Sequence, residues 1–129
     1  MPNEKDLSLG KYGISKMRYR ELKYFCLQYP EKKRWLSETL AISAVQNDGM
    51  PKGNRISDPT AIMADKIEFI WDEIKVIERT ALEAAPGMHE QLMKNVTEGI
   101  PYEYMAVPCG RRQFYDCRRK FFYLLSEKR

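Results

Sequence analysis

The stretch PCGRRQFYDCRRKFFYLL, residues 108–125, places four arginines and a lysine among aromatic rings. Its apolar residues recur with the spacing of one helix face: Phe114, Cys117, Phe121, Leu124 and Leu125. An apolar stripe of this kind is expected to face a protein core. The pattern therefore predicts a helix over residues 111–126 that is held down by its rings, with cations on its other faces.

The polar faces of this helix hold the candidate binding residues. They are Arg112, Tyr115, Asp116, Arg119 and Lys120 on one face, Arg111 and Gln113 at the N-terminal edge, and Arg118 further along. Arg111 and Arg112 occupy the first turn, where the helix dipole favours Asp or Glu. Their position therefore suits binding better than stability. Arginine can form bidentate bonds to guanine, and glutamine to adenine, in the major groove of DNA.

Individual residues of this helix have different expected roles. Tyr115 is expected to be half-exposed, where it contacts a phosphate or a thymine methyl group or packs against its neighbours. Asp116 either accepts a bond from cytosine or orients a nearby arginine. For Arg118 and Lys120, a phosphate contact and a plain surface position both remain open.

The distribution of charge points to the same end of the chain. Residues 110–129 contain seven Lys and Arg against Asp116 and Glu127, a net charge of +5, whereas the whole chain carries +4. Charge asymmetry of this kind favours an anionic partner, most often nucleic acid.

The N-terminal part of the chain is predicted to be a flexible tail followed by two helices. Residues 1–14 mix Pro, Gly and charges, as terminal tails do. A helix begins after Ser15 as N-cap, with Leu22, Phe25, Cys26 and Tyr29 on one face. Pro30 interrupts the pattern, and a second helix follows. Its inward residues are expected to be Trp35, Leu36 and Leu40.

The longest predicted helix spans about residues 59–84, after a Gly- and Asn-rich loop at residues 46–57. Asp58 is its expected cap and Pro59 suits its first turn. Apolar residues alternate along it by three and four: Met63, Ile67, Ile70, Ile74, Ile77 and Ala81. This heptad seam fits packing within one helical bundle, and it also fits a homo-oligomer seam through Met63, Ile67, Ile70, Ile74 and Ile77.

The remaining residues predict two short helices and the basic helix. Ala85-Pro86-Gly87 ends the long helix, a short helix over residues 88–98 ends at Gly99, and Pro101 opens another. Gly110 is the expected N-cap of the basic helix. Three short helices, the last one basic, are the layout of a helix-turn-helix domain.

No segment shows the alternation of a β-strand, so the chain is predicted to be all-α. It is expected to form an N-terminal helical bundle with a long central helix, followed by a C-terminal helix-turn-helix. The predicted divisions are a flexible tail at 1–14, a helical and possible oligomerisation region at 15–85, and a helix-turn-helix DNA-binding region at 86–129.

Membrane, metal and enzyme functions have little support in the sequence. No apolar run approaches the ~20 residues of a membrane span, and the N-terminus lacks the apolar stretch of a signal peptide. The protein is therefore expected in the cytosol. The three cysteines form no CxxC or Cys/His ligand pair, so no metal or cofactor is expected. Cys109 precedes a basic helix, a position that can lower a thiol pKa, but no base or pocket for a nucleophile is evident.

The segment KNVTEGIPYEYMAVPCGRRQFYDCRRKFFYLL, residues 94–125, resembles the C-terminal half of phage transcriptional regulators of the ArpU/RinA type. The helix-turn-helix of that family is similar to region four of sigma-seventy-type factors. The matching features are a helix that ends in Gly, Tyr102-Glu103 at the opening of the next helix, and Arg-Arg-Gln-Phe-Tyr at residues 111–115. The resemblance covers roughly residues 57–126.

This resemblance implies a sequence-specific DNA-binding regulator of phage or prophage genes, often late genes, in a bacterial cytoplasm. RNA polymerase is an implied further partner. The implied DNA contacts are Arg111, Arg112, Gln113, Tyr115, Asp116 and Arg119. Two alternatives stay open: a DNA-packaging protein like a small terminase subunit, and a non-catalytic interaction module whose basic helix binds an acidic protein surface.

Overall fold

A computed structural model describes residues 12–46 and 58–129, and these residues form helices and connecting turns without strands. The helices are α1 (Lys16–Leu27), α2 (Tyr29–Gln46), α3 (Asp58–Ala84), α4 (His89–Glu98) and α5 (Arg111–Lys128), with a 3₁₀ turn (Tyr102–Tyr104) between α4 and α5. The prediction of an all-α chain is confirmed for the described residues. The predicted loop after Gln46 and the tail residues 1–11 lie outside them.

Several predicted helix ends agree with the structure. The Ser15 side chain accepts a hydrogen bond of 3.1 Å from the Arg18 backbone N–H, which caps α1. Gly99 ends α4 with a φ of 72°, and its N–H donates to the Asn95 carbonyl at 3.0 Å. The left-handed region suits glycine because a Cβ is disfavoured there. Gly110 is the residue before α5, as expected, and it provides no side-chain hydrogen bond to cap the helix.

One hydrophobic core joins helices from both predicted regions of the chain. Its buried apolar side chains include Leu22 and Phe25 of α1, Ile77 and Ala81 of α3, Leu92 and Val96 of α4, and Phe114, Phe121, Phe122 and Leu125 of α5. Tyr12 and Ile14 also pack against this core, although residues 1–14 are predicted to be a tail. The α5 helix therefore forms part of the centre of the fold.

The structure corrects the second short helix, which was predicted to begin at Pro101. The structure has only the single 3₁₀ turn Tyr102–Tyr104 there. The Tyr102 hydroxyl donates to the Cys109 carbonyl at 2.8 Å, and the Tyr102 and Met105 side chains pack against the core as expected. These contacts hold the connection between α4 and α5 in an extended path rather than in a helix.

The α2 and α3 helices form an antiparallel pair. Going along α2, Tyr29 bonds to Glu78, Lys32 lies 3.1 Å from Glu73, and the Trp35 ring lies under the Lys66 ammonium at 4.7 Å. The residue numbers of the α3 partners therefore fall as those of α2 rise, which shows that the two helices are antiparallel. Beyond this point the pair projects from the core, since nearly every residue from 61 to 72 is exposed or half-exposed.

The residues predicted to form the apolar seam of α3 lie in different environments. Ile74 and Ile77 are fully buried within the chain, so they are not available for contact with a second copy, contrary to the oligomer-seam prediction. Ile67 and Ile70 are half-buried, and Met63 is exposed. Leu40 of α2, predicted to face inward, is 49% exposed. It falls in the projecting part of the pair, where no third helix of the described residues covers it.

Within residues 12–46 and 58–129, no helix has both the length and the apolarity needed to cross a bilayer.

Candidate nucleic-acid interface

The buried face of α5 is rotated relative to the predicted stripe. Phe114, Phe121 and Leu125 are buried as expected, whereas Cys117 and Leu124 are only half-buried. The remaining buried positions are Tyr115, Arg118 and Phe122. Counted from Phe114, the buried residues fall at positions i, i+1, i+4, i+7 and i+8. This buried face is wider than a single apolar stripe because both α1 and α3 contact α5.

Arg118 is inside the protein, so its expected surface or phosphate-contacting position is corrected. Only 7% of the residue is exposed. Its Nε donates to Asn95 Oδ1 at 2.7 Å and its Nη2 donates to the Tyr19 hydroxyl at 3.0 Å. The guanidinium also stacks over the Phe122 ring, 4.9 Å from the centroid. Arg118 therefore links α1, α4 and α5, and the sequence gives no sign of this because its partners lie 23 and 99 residues away.

Asn95 completes this connection from the side of α4. Its Nδ2 donates to the Ile100 carbonyl at 3.0 Å, just beyond the Gly99 end of α4. The same side chain thus fixes the turn after α4 and accepts the bond from Arg118. A buried guanidinium is costly unless it is hydrogen-bonded, and this amide supplies one of its bonds.

Tyr115 is also buried, with 1% exposure, which corrects the expected half-exposed position. Its ring meets Phe114 edge to face at 5.3 Å between centroids. Its hydroxyl is buried and makes no hydrogen bond of regular geometry within the described part of the chain. Burial raises the pKa of Tyr115, although the Tyr102 backbone lies close enough to act to lower it. The Tyr115 side chain is therefore not available at the surface of α5 for the DNA contact expected from the sequence.

We expect Tyr115→Phe to raise the free energy of unfolding by about 1 kcal/mol, because an unsatisfied buried hydroxyl is costly. Urea unfolding followed by circular dichroism measures this change. Tyr104→Phe is the matched control, since Tyr104 is 80% exposed, and it should leave stability unchanged. A clear loss of stability in Tyr115→Phe would mean that the hydroxyl has a bonding partner.

The first turn of α5 receives its negative charge from outside the helix. Glu103 of the 3₁₀ turn accepts a bond of 3.1 Å from Arg111 Nε. A hydrogen bond from its own backbone N–H and the bond from Arg111 hold the pKa of Glu103 below its usual value. The Arg111 guanidinium also lies over the buried Tyr115 ring at 5.3 Å. Arg111 thus has structural partners and is only partly exposed.

The outward face of the first turns of α5 carries a polar stripe at helical spacing: Arg112, Gln113, Asp116 and Lys120. All four are exposed. Asp116 bonds to Arg119, in agreement with the expectation that it orients an arginine. Arg112 and Lys120 form no ion pair with any described residue. We call these four exposed residues the α5 stripe. The Arg119 side chain beside them is only 11% exposed, which leaves little of it for the DNA contact expected from the sequence.

The other cations near the C-terminus are neutralised inside the chain. Lys128 Nζ lies 2.9 Å from Glu83 Oε1. Arg129 lies 3.6 Å from Glu73, which also binds Lys32 at 3.1 Å. Both of these acidic residues belong to α3, which holds seven Asp and Glu against three Lys and Arg. Two of the seven cations of the C-terminal segment therefore pair with acidic residues of α3.

The cysteines are free thiols in the described part of the chain. Burial raises the pKa of Cys26 to about 12. Burial also raises the pKa of Cys109, which corrects the suggestion of a lowered value there. The Cys109 thiol donates to Met88 Sδ at 3.3 Å and shares the turn with the Tyr102 bond. These contacts are structural, and it is burial that sets the direction of the pKa shift of the Cys109 thiol.

No group of three or more His, Cys, Asp or Glu side chains able to hold a metal ion occurs in the described ranges. His89, predicted to lie on the surface, is half-exposed, with Nδ1 3.4 Å from the Pro86 carbonyl. Tyr19 and Asn95 also organise the site, and the sequence did not identify them; Glu103 was noted only as part of the resemblance and not as a partner of Arg111. Comparison of this chain with protein-family models, with curated proteins and with solved structures found no match.

Proposed function

We propose that this protein is a sequence-specific DNA-binding regulator that reads the major groove with the α5 stripe. The resemblance to phage regulators of the ArpU/RinA type extends the proposal to phage or prophage genes, in particular late genes, with RNA polymerase as a further partner. The protein would then act on DNA in a bacterial cytoplasm.

The observation that carries the proposal is the exposed α5 stripe. Arg112 and Lys120, which form no ion pair with any described residue, lie with the side-chain amide of Gln113 on the outward face of one helix. Stability alone does not call for Arg112 in a first turn. Arginine and glutamine are residues that read guanine and adenine edges, and lysine binds phosphate as a point charge.

The contacts proposed here are fewer than those expected from the sequence. The proposed base readers are Arg112 and Gln113, with Lys120 placed for a phosphate. Arg119, which bonds to Asp116 and is largely covered, is not among them. Arg111 takes a flanking position because Glu103 and Tyr115 already engage it. The proposal assigns the role of the helix-turn-helix to α4, the 3₁₀ turn and α5, with a single turn between the two helices.

A selection from a randomised duplex library tests the proposal, carried out near 150 mM salt, where the Debye length is about 8 Å. An enriched motif bound at least roughly 10³-fold more tightly than random DNA supports a regulator. Binding that is salt-sensitive but without sequence preference contradicts it and favours the non-catalytic interaction module, whose basic helix meets an acidic protein surface.

We expect Arg112→Ala to weaken binding to the selected motif by about 1–3 kcal/mol if the guanidinium contacts a base. Binding measured on the motif and on random DNA separates the roles, because loss of a phosphate contact weakens both equally. Arg34→Ala is the matched control, an exposed arginine on α2. Unchanged binding to the motif in Arg112→Ala would remove Arg112 from the proposed contacts.

A second candidate is a packaging protein like a small terminase subunit. The exposed apolar side chains on the projecting part of α2 and α3, such as Ile42 and Phe69, favour it because they suit an oligomer. Such a protein forms rings and works with an ATPase, whereas a regulator needs no ring. The mass of the assembly in solution separates the two functions.

A further inference from the structure

One face of α3 is covered along part of its length and uncovered along the rest. Glu73 is covered by Lys32 and Arg129, and Val76 packs against the core. The preceding residues of the same face, at i, i+3, i+4 and i+7, are Ile62, Asp65, Lys66 and Phe69. We call these four residues the α3 stripe.

The α3 stripe is open to solvent although its ends are large and apolar. Ile62 is 68% exposed and Phe69 is 61% exposed, and Asp65 and Lys66 between them are exposed as well. Leu40 and Ile42 add exposed apolar side chains on α2. Since α2 runs antiparallel to α3, they lie level with the first turns of α3. Clustered exposed apolar residues of this kind mark interaction surfaces.

The order of residues in the α3 stripe is complementary to itself when reversed. In an antiparallel pair of α3 helices with a two-fold axis between Asp65 and Lys66, Ile62 meets Phe69 of the second copy. Asp65 then meets Lys66 of the second copy, and the axis repeats both contacts. A parallel pair would instead place Asp65 against Asp65 and Lys66 against Lys66. Isologous interfaces require such self-complementarity, and like charges in opposition disfavour the alternative.

We propose that two copies of this chain associate through the α3 stripe in this antiparallel arrangement. The interface joins the projecting pairs of α2 and α3 and leaves the exposed residues of α5 outside it. The inference does not depend on DNA binding, because it rests on residues of another helix.

Charge reversal tests this arrangement, with sedimentation equilibrium of the full chain as the measurement. In a dimer of either single variant, Asp65→Lys or Lys66→Asp, residues 65 and 66 of opposite copies carry the same charge. The two-fold axis repeats this repulsive contact. We expect each variant to raise the dimer dissociation constant roughly tenfold or more. An equal mixture of the two should recover a dimer, since every opposed pair then has opposite charges. The double variant Asp65→Lys/Lys66→Asp should recover it too.

Matched controls separate the interface from local effects. Lys66 also stacks over Trp35, and Lys75 makes a similar contact at 5.2 Å with Trp71 outside the α3 stripe. Lys75→Asp should therefore leave the dimer intact. Phe69→Ser should weaken the dimer, whereas Leu82→Ser, an exposed apolar residue elsewhere on α3, should not. Circular dichroism checks that each variant remains folded.

Two outcomes would overturn the proposal. One is a wild-type chain that stays monomeric at all concentrations measured. The other is a dimer that neither single charge reversal weakens, which would place the contact on another surface. Neither outcome changes the expected DNA binding by a monomer, so failure here is distinguishable from failure of the proposed function.

Discussion

Arg118→Ala is expected to lower the free energy of unfolding by about 3–5 kcal/mol, because hydrogen bonds to a charged group contribute roughly 1.5–3 kcal/mol each and this change removes two. The loss of the guanidinium also leaves Asn95 and Tyr19 without their buried partner. Domains of this size are stable by about 5–15 kcal/mol. The variant should therefore unfold at markedly lower urea concentration and temperature.

Controls on the same helix make this result specific. Arg112→Ala removes an exposed arginine and should change stability by no more than roughly 0.5 kcal/mol. Arg118→Lys keeps the charge but lacks the planar fork that reaches two acceptors, so it should recover only part of the loss. If Arg118→Ala were as stable as the wild type, Arg118 would belong to the surface, as the sequence alone allowed.

Phe121→Ala is expected to lower the free energy of unfolding by about 3–5 kcal/mol, the usual cost of emptying a buried aromatic site. Phe121 has no exposed surface and meets Phe122 edge to face at 5.1 Å. Thermal and urea unfolding measure the change. Tyr104→Ala is the matched control because Tyr104 is 80% exposed.

A nearly unchanged melt in Phe121→Ala would contradict the packing of α5 against the core. A loss in both Phe121→Ala and Arg118→Ala, with Arg112→Ala unaffected, would establish that one helix carries the core on one face and the α5 stripe on the other. This separation matters for the proposed function, because it allows the proposed DNA contacts to be changed without unfolding the protein.

The local features of the fold were predictable because they depend on neighbours in sequence. The Ser15 cap and the Gly99 helix end follow from side-chain and backbone preferences within a few residues. The start of the long helix at Asp58 agrees within one residue with the prediction from Asp58-Pro59. Apolar periodicity likewise identified Leu22, Phe114 and other core residues, because a helix face repeats within two turns.

The candidate site was predictable only in part. The exposed positions of Arg112, Gln113 and Lys120 agree with the helical wheel, since each lies away from the apolar stripe. Tyr115 and Arg118 were placed on the wrong side. The wheel assumes one packing partner, whereas α1 and α3 both cover α5. A second neighbour buries positions that a single apolar stripe leaves outside.

The charge of the C-terminal segment shows the same division between local and tertiary information. Its excess of +5 is a property of composition. The number of those cations left for a partner depends on which acids α3 and the 3₁₀ turn bring to them, as Glu73, Glu83 and Glu103 do. Such pairings join residues distant in sequence, and no local pattern encodes them.

For this protein, the sequence by itself determined the helices, most of their ends and the outward direction of Arg112 and Lys120, because these follow from short-range preferences and a period of 3.6 residues. Only the tertiary structure decided that Arg118 is a buried link between three helices and that the α3 stripe is left uncovered. Burial and hydrogen bonding depend on which helices meet, and the meeting of helices is a property of the whole chain.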